Sequence, residues 1–277
     1  MTLVQVAVIQ LSSQDDVAAN LARVRALVLE AGKSGAELVA LPENFAFMGE
    51  ESMKRQISER IDADEPGPIY MALRDAARDA RVWLVAGGMP ESSPDPDRPY
   101  NTSLLFSTDG RLVSKYRKVH LFDVDLPDGT KLLESAATTA GDDPVVNEIS
   151  GRAGKPVGLG MTICYDLRFP ELYRKLGERG ARIVTVPAAF TLTTGKDHWH
   201  VLLRARAIEN QTFVLAPGQH GKHPRGRQTY GKSLIVDPWG DVLAQCAEGE
   251  GFAMARLDFA AQDRVRASLP CLTHRRF

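Results

Sequence analysis

The spacing of apolar residues changes twice near the N-terminus, and no other feature of the sequence constrains the fold as strongly. Residues 1–10 place apolar side chains on both alternating faces, which is typical of a strand buried on both sides. Residues 17–35 repeat apolar positions every three or four residues, as an amphipathic helix does. A second apolar strand follows at residues 37–41 and ends at Pro42. This order of strand, helix and strand predicts an α/β fold.

The same alternation continues along the chain. Further helices are predicted at residues 69–80, 170–179 and 197–210. Further strands are predicted at residues 82–87, 102–106, 112–116, 155–164, 182–186, 212–216, 232–236, 242–245 and 252–257, with turns at 109–110 and 237–240. The stretch from Lys118 to about Val145 has no clear period, so we expect a functional loop there. Because no linker or fixed-period repeat interrupts this order, residues 1–277 are predicted to form a single domain.

Charge and cysteine usage exclude several classes of function. Lys and Arg number 34 against 35 Asp and Glu, so the net charge of -1 gives no reason to expect binding to nucleic acid or to anionic membranes. The N-terminus lacks the basic start and apolar run of a signal peptide, and no run of about 18 apolar residues occurs. The 3 cysteines are an odd number without close pairing, which favours a reducing compartment. We therefore expect a cytoplasmic protein.

Cys164 is the first candidate for chemistry. It ends the small-residue strand 158–164 and precedes a turn into a helix, a corner that can present a nucleophile beside free backbone N–H groups. The alternative is a small buried hydrophobic residue, which is the commoner role of a lone cysteine. Cys246 and Cys271 lack this setting and are predicted to be structural.

Three charged residues stand at unusual places but decide nothing singly. Glu43 follows a buried strand, where a carboxylate needs partners or a function, although an exposed loop position would also explain it. Lys118 lies in a basic cluster that could be an exposed strand end. Glu134 lies in the long irregular stretch and could be a surface residue.

Taken together, these residues stand in segments that resemble a known family. L-P-E-N at 41–44, Y-R-K-V-H-L-F at 116–122 and I-C-Y-D-L-R-F-P-E-L at 163–172 resemble the three signature segments of the nitrilase superfamily of carbon–nitrogen hydrolases, in the same order. The likeness continues through residues 186–191, 194–199, 202–210 and 230–240, so it extends over nearly the whole chain.

This resemblance implies a four-layer α-β-β-α sandwich, a homodimer and a catalytic triad of Glu43, Lys118 and Cys164. Glu43 would take the proton of the thiol, which then attacks an amide carbonyl to form a thioester. The Lys118 ammonium and the backbone N–H of Tyr165 would bind the oxyanion. Glu134 would help to hold the lysine. No cofactor and no metal are implied.

The C-terminal half is most similar to the deaminated glutathione amidase branch, beside the ω-amidase branch. Such enzymes hydrolyse a small amide that carries carboxylates, so we expect cations in the pocket. Phe190, Thr191, His198 and Arg227 are the predicted substrate-binding residues. The basic residues in segments that could line the pocket are Lys196, His198, His220, Lys222, His223, Arg225 and Arg227. The alternative for each of these is an exposed basic loop.

Other interpretations explain less of the sequence. The two glycines before Cys164 lack the third glycine of a dinucleotide fingerprint, and His198 and His200 are badly spaced for a metal on one helix. A Cys–His hydrolase with His120 or His198 as base stays possible but leaves the other motif residues unexplained. An ω-amidase acting on 2-oxoglutaramate, or another small acyl-amide or carbamoyl hydrolase, is the alternative within the superfamily. A non-catalytic binding protein is the alternative outside it.

Overall fold

Two six-stranded sheets form the centre of the protein. The computed structural model describes residues 3–125, 131–151 and 155–276. The strands are β1 Leu3–Gln10, β2 Leu38–Leu41, β3 Trp83–Glu91, β4 Tyr100–Phe106, β5 Leu112–Arg117, β6 Asp123–Asp125, β7 Lys131–Leu133, β8 Val145–Ile149, β9 Val157–Met161, β10 Ala181–Thr185, β11 Phe213–Ala216, β12 His220–Lys222, β13 Gln228–Tyr230, β14 Leu234–Val236, β15 Val242–Gln245 and β16 Gly251–Asp258. The α-helices are α1 Val17–Lys33, α2 Pro68–Ala80, α3 Pro170–Glu178, α4 Leu192–Asn210 and α5 Phe259–Ser268. Short 3-10 helices lie at Glu51–Ile57, Glu134–Ala136, Cys164–Arg168 and Pro224–Gly226.

The two sheets have related strand orders. The first is β16-β1-β2-β3-β4-β5, with β1, β2 and β3 parallel. The second is β15-β14-β11-β10-β9-β8, with β9, β10 and β11 parallel. Antiparallel strands complete both sheets, and β6 with β7 and β12 with β13 form separate two-stranded ribbons. Both sheets are therefore mixed, and the predicted α/β fold is confirmed.

The alternation along β1 explains the layers. Val4, Val6 and Val8 face the second sheet in one core, whereas Ala7 and Ile9 pack with α1 and α2 in the other. The outer face of the second sheet packs on α3 and α4 within the first of these cores. Both faces of β1 are buried, as predicted, and the result is the expected α-β-β-α sandwich in a single domain.

Some boundaries differ from the prediction. The predicted strand at 155–164 is only Val157–Met161, because the chain enters a 3-10 helix at Cys164. The helix predicted at 197–210 begins earlier, at Leu192, although its first turn is poor in strong helix formers. Of the irregular stretch after Lys118, residues 126–130 lie outside the described residues. Within the described part of the chain, no helix is both long and apolar enough to cross a bilayer.

Candidate active site

The three motif residues lie just beyond the ends of three strands. Glu43 follows β2, Lys118 follows β5 and Cys164 follows β9. Because β2 and β5 run in the same direction within the first sheet, their carboxyl ends lie at the same edge, and there all three side chains meet in one cavity. The cavity is lined by Glu43, Asn44, Glu51, Lys54, Lys118, Phe122, Leu132, Leu133, Glu134, Cys164, Tyr165, Arg168, Ala189, Phe190, Thr191, Thr194 and Arg227.

Cys164 stands in a strained turn at the bottom of this cavity. Its backbone has φ of 47°, in the left-handed region that a residue with a Cβ rarely adopts, and its N–H donates to the Pro187 carbonyl at 2.8 Å. The thiol and the Glu43 carboxylate line the same cavity, and each acts on the pKa of the other. The N–H of Tyr165, in the first turn of the 3-10 helix, has no acceptor within that helix. The turn thus exposes a sulfur beside a free backbone donor.

Lys118 is held between two carboxylates. Its Nζ lies 2.9 Å from Glu43 Oε1 and 2.8 and 3.0 Å from the two oxygens of Glu134. The Lys118 side chain is only 2% exposed and that of Glu43 only 4% exposed. A buried charge without a partner would be very costly, so this mutual pairing explains how three charged groups can share one dry cavity.

Asn101 links the two carboxylates directly. Its Nδ2 donates to Glu43 Oε1 at 2.9 Å and to Glu134 Oε1 at 3.3 Å, while its backbone carbonyl accepts from the Lys118 N–H at 2.8 Å. The other Glu43 oxygen accepts from the Ala189 N–H at 3.0 Å. Both oxygens of Glu43 are thus occupied by donors, which fixes the carboxylate beside the thiol and favours its ionised form.

The electrostatics fix the resting protonation states. Burial would raise the pKa of Glu43, but the Lys118 charge and hydrogen bond outweigh burial and lower it. Burial would lower the pKa of Lys118, but Glu134 and Glu43 raise it well above its usual value. Burial and the Glu43 charge raise the pKa of the Cys164 thiol well above its usual value. The resting cavity therefore holds an ammonium, an ionised Glu43 and a neutral thiol.

A buried carboxylate ties the lysine segment to the cysteine turn. Asp166 accepts from the Tyr116 hydroxyl at 2.6 Å and from the Ile163 N–H at 2.8 Å. It also accepts from the His120 N–H at 3.1 Å, and the His120 Nδ1 lies 2.7 Å away. The His120 ring stacks on Phe169 with centroids 3.7 Å apart and is not among the cavity-lining residues. His120 is thus bound to Asp166, which disfavours it as the base for Cys164.

Three of the four predicted substrate-binding residues line the cavity. Phe190, Thr191 and Arg227 do so, and the Phe190 ring packs on Trp199 with centroids 5.0 Å apart. The structure places His198 outside the cavity wall, because α4 turns its ring toward Arg168 Nη1, 3.3 Å away.

The wider set of basic residues mostly lies elsewhere. Apart from Arg227, none of them lines the cavity: Lys196, His198, His220, Lys222, His223 and Arg225. His223 is buried and bonds to the Ser13 carbonyl and the Thr229 hydroxyl, so its role is structural. Arg225 pairs with Glu50 in an exposed ion pair. The corrected set of cavity cations is Arg227 together with two residues that sequence reasoning missed, Lys54 and Arg168.

Of the site residues that were not predicted, some stand in a recognisable sequence motif and others do not. Arg168 stands inside the third signature segment, so the motif contained it, and its guanidinium lies over the Phe190 ring at 5.2 Å. Asn101 looks like any residue at the start of a strand. Lys54 and Glu51 lie on the 3-10 helix Glu51–Ile57, which has no periodic pattern. In the ranges 3–125, 131–151 and 155–276, no group of three or more His, Cys, Asp or Glu converges as metal ligands would.

Comparison with known proteins agrees with the fold. Residues 5–267 match the family model "Carbon-nitrogen hydrolase". The chain is 44% identical over 274 residues to the deaminated glutathione amidase of Synechocystis sp., covering 98% of this chain and 97% of that protein. The crystal structure of Saccharomyces cerevisiae Nit3, a member of branch 10 of the nitrilase superfamily, matches with a TM-score of 0.87 and 35% identity over 100% of this chain and 97% of that chain.

An amidase from Nesterenkonia sp. AN1 is also similar. The structure of one of its mutants, described as showing the result of Michael addition of acrylamide at the active site cysteine, matches with a TM-score of 0.77 and 28% identity, covering 96% of this chain and 98% of that chain. This chain therefore belongs to the carbon–nitrogen hydrolase family of the nitrilase superfamily, and it is an amidase-type hydrolase of that family. The resemblance identified from the three sequence segments is confirmed.

Proposed function

We propose that this protein hydrolyses the amide bond of deaminated glutathione to 2-oxoglutarate and cysteinylglycine through a cysteine thioester. The observation that carries the proposal is the meeting of Glu43, Lys118, Glu134 and Cys164 in one buried cavity. The substrate is supported by relatives named deaminated glutathione amidase, which are 39 to 44% identical to this chain.

The first step follows from the resting protonation states. Glu43 is ionised and Cys164 is neutral, so the proton passes from sulfur to the Glu43 carboxylate as the sulfur attacks the carbonyl carbon. Negative charge then develops on the carbonyl oxygen, where the Lys118 ammonium and the Tyr165 N–H act as donors. Because the pKa of Lys118 is raised, it stays charged and acts as an electrostatic donor rather than as a proton carrier.

The second half of the reaction uses the proton now held by Glu43. Glu43 delivers it to the departing nitrogen, the carbon–nitrogen bond breaks and the thioester forms. Water then enters, loses a proton to Glu43 and attacks the thioester carbonyl. The carbon–sulfur bond breaks, the acid is released, and Glu43 passes the proton to the sulfur, which restores the neutral thiol and the ionised carboxylate. Glu134 keeps Lys118 in place throughout by its two short contacts.

The charge of the cavity supports a substrate that carries carboxylates. Arg168, Arg227 and Lys54 line it in addition to Lys118. Arginine and lysine side chains bind carboxylates through charge-assisted hydrogen bonds, so an anionic amide is favoured over a neutral one. Phe122 and Phe190 supply the apolar part of the wall.

The exposed apolar residues of α4 support the homodimer that the family resemblance implies. Val201 is 66% exposed and Ile208 is 45% exposed on this helix, and Trp239 is 58% exposed. Large apolar side chains that cluster on a surface commonly mark an interface. We expect a sedimentation mass of twice the chain mass at micromolar concentration, and a monomer mass would contradict the dimer. We also propose a cytoplasmic location, because three free cysteines favour a reducing compartment.

The test of the function is release of 2-oxoglutarate from deaminated glutathione by the purified protein. We expect Cys164→Ala to abolish release while the thermal unfolding curve stays close to that of the unchanged protein. Cys271→Ala is the matched control, because Cys271 is an exposed free cysteine, and it should retain full activity. Turnover that survives in Cys164→Ala would refute the mechanism. Absence of turnover in the unchanged protein would refute the substrate.

A further inference from the structure

A cluster of three charged side chains forms one wall of the cavity and has no part in the steps above. Lys54 Nζ lies 2.6 Å from Glu51 Oε2, and Arg227 Nη1 lies 3.1 Å from Glu51 Oε1. Lys54 is only 7% exposed, and all three residues line the cavity. We call Glu51, Lys54 and Arg227 the charged wall.

The charged wall has donor capacity to spare. It contains two cations and one carboxylate, so one positive charge is left uncompensated within it. The Arg227 Nε is buried and has no hydrogen-bond partner among the described residues. A buried donor left unpaired destabilises the protein, and a carboxylate bound here would satisfy it. Glu51 already shows that both cations can contact the oxygens of one carboxylate.

The charged wall lies on the Glu43 side of the cavity. Lys54 also lines a second, smaller cavity together with Asn44, which follows Glu43 in the chain, and Asn101, whose Nδ2 donates to Glu43 Oε1 at 2.9 Å. The Lys54 charge contributes to lowering the pKa of Glu43, in keeping with this position. Arg168 lies instead on the side of the cysteine turn, with its guanidinium 5.9 Å from the centre of the Tyr165 ring. Anionic groups at the two ends of a substrate would therefore have separate cations.

The position of Glu43 tells which half of the substrate faces the charged wall. In the proposed function, on which this inference rests, Glu43 protonates the departing nitrogen. The amine half of the substrate must therefore leave from the Glu43 side, where Lys54 and Arg227 lie. The acyl half stays attached to Cys164, on the Arg168 side.

We propose that Lys54 and Arg227, held in place by Glu51, form a subsite for a carboxylate carried by the leaving amine. A peptide-like amine with a terminal carboxylate fits this subsite, whereas ammonia does not reach it. The subsite therefore selects amides that release an anionic amine over amides that release ammonia. Its binding energy comes from a part of the substrate remote from the reacting carbon, and this energy can be used to accelerate the reaction.

A neighbouring ion pair supplies a matched control. Arg225 lies two residues before Arg227 and pairs with Glu50 at 2.6 Å, next to Glu51 in the chain, but Arg225 is exposed and does not line the cavity. Arg225→Gln therefore removes the same charge from the same loop without touching the subsite. Arg227→Gln leaves Glu51 and Lys54 to neutralise each other, so the spare positive charge disappears.

The experiment compares two amides with the same acyl group. Deaminated glutathione releases an anionic dipeptide, and 2-oxoglutaramate releases ammonia. The ratio of kcat/KM for the first to kcat/KM for the second isolates the contribution of the amine half. We expect this ratio to fall about 10- to 100-fold in Arg227→Gln and in Lys54→Met, as for loss of a charge-assisted hydrogen bond, and to stay unchanged in Arg225→Gln.

A ratio in Arg227→Gln within threefold of that of the unchanged protein would overturn the subsite, as would a fall of equal size in Arg225→Gln. Partial misfolding lowers both rates together and leaves the ratio intact, so the readout remains valid if the buried Lys54 variant is unstable. Failure of the proposed function has a different signature, because then the unchanged protein hydrolyses neither amide or Cys164→Ala stays active.

Discussion

Glu134→Gln tests whether the second carboxylate holds the catalytic ammonium. The substitution keeps the shape of the side chain and removes its charge. Lys118 Nζ contacts Glu134 at 2.8 and 3.0 Å and Glu43 at 2.9 Å. The substitution therefore alters two of the three contacts that hold the ammonium. The Glu134 Oε2 also accepts from the Phe122 N–H at 2.6 Å, so a glutamine oxygen cannot satisfy all the donors around it.

The expected magnitude follows from these contacts. At least one charge-assisted hydrogen bond is lost, which costs about 1.5–3 kcal/mol. The cost stays below the roughly 3–5 kcal/mol of a buried charge that loses its only partner, because Glu43 still contacts Lys118. If this cost appears in the transition state, kcat falls about 10- to 100-fold at one factor of ten per 1.36 kcal/mol.

The pH profile supplies an independent readout. After burial, the Glu134 charge is the largest cause acting on the pKa of Lys118, and it raises that pKa. Its removal lowers the pKa, so Lys118 loses its proton at lower pH and activity declines earlier on the alkaline side. Initial rates of 2-oxoglutarate release from pH 6 to 11.5, a range that extends beyond the usual lysine pKa of 10.5, would measure both effects. Glu148→Gln, at an exposed position of β8, is the control. A Glu134→Gln enzyme with unchanged kcat and an unchanged alkaline limb would refute the reasoning.

Two further predictions concern the scaffold of the site, and urea denaturation measures both. Gly88 has φ of 65°, and a Cβ there would come within 2.9 Å of Glu43 Cγ, so Gly88→Ala should destabilise the fold by about 1–3 kcal/mol and reduce turnover. Gly177→Ala, where a Cβ meets nothing within 4 Å, should not destabilise it, and equal losses would contradict the steric argument. Tyr116→Phe removes a 2.6 Å hydrogen bond to a buried carboxylate and should cost about 1.5–3 kcal/mol, whereas Tyr173→Phe removes a 3.1 Å bond to a neutral hydroxyl and should cost about 1 kcal/mol. Equal costs would show that the charge of the acceptor does not matter there.

Periodicity predicted most strands and helices of the fold because burial leaves a periodic trace, whereas the four layers were implied by the family resemblance. The alternating apolar residues of β1 and the repeat of α1 indicate which faces are covered, and both faces of β1 are covered. The elements that escaped prediction are those without such a trace. β8 is an edge strand with only one fully buried residue, and the 3-10 helix Glu51–Ile57 buries only Lys54. Lysine is rarely buried, so its sequence position gave no reason to expect it in a cavity wall.

The site depends on contacts between distant parts of the chain. Periodicity placed Glu43 and Cys164 at strand ends, but only the family resemblance indicated that they meet Lys118, because strand order is not readable from spacing. Arg227 contacts Glu51 at 3.1 Å although the two residues are 176 positions apart in the chain. His198 was expected in the pocket because a substrate with carboxylates requires cations and His198 lies in a basic segment that could line the pocket. Helix α4 instead turns the His198 ring toward Arg168, outside the cavity wall. The orientation of this helix depends on packing against distant segments, which the local sequence pattern does not reveal.

The same contacts explain why a neutral thiol and an ionised acid suit the reaction. At rest, Glu43 and Glu134 carry negative charges, Lys118 carries a positive charge and the thiol carries none, so the buried group has one net negative charge. When the sulfur attacks, its proton neutralises Glu43 while a negative charge appears on the substrate oxygen beside Lys118. The net charge is therefore unchanged and only moves by a few ångströms within the reach of one ammonium. Because no additional buried charge is created, the surrounding dipoles need little reorganisation, which is the condition under which a preorganised site lowers a barrier most.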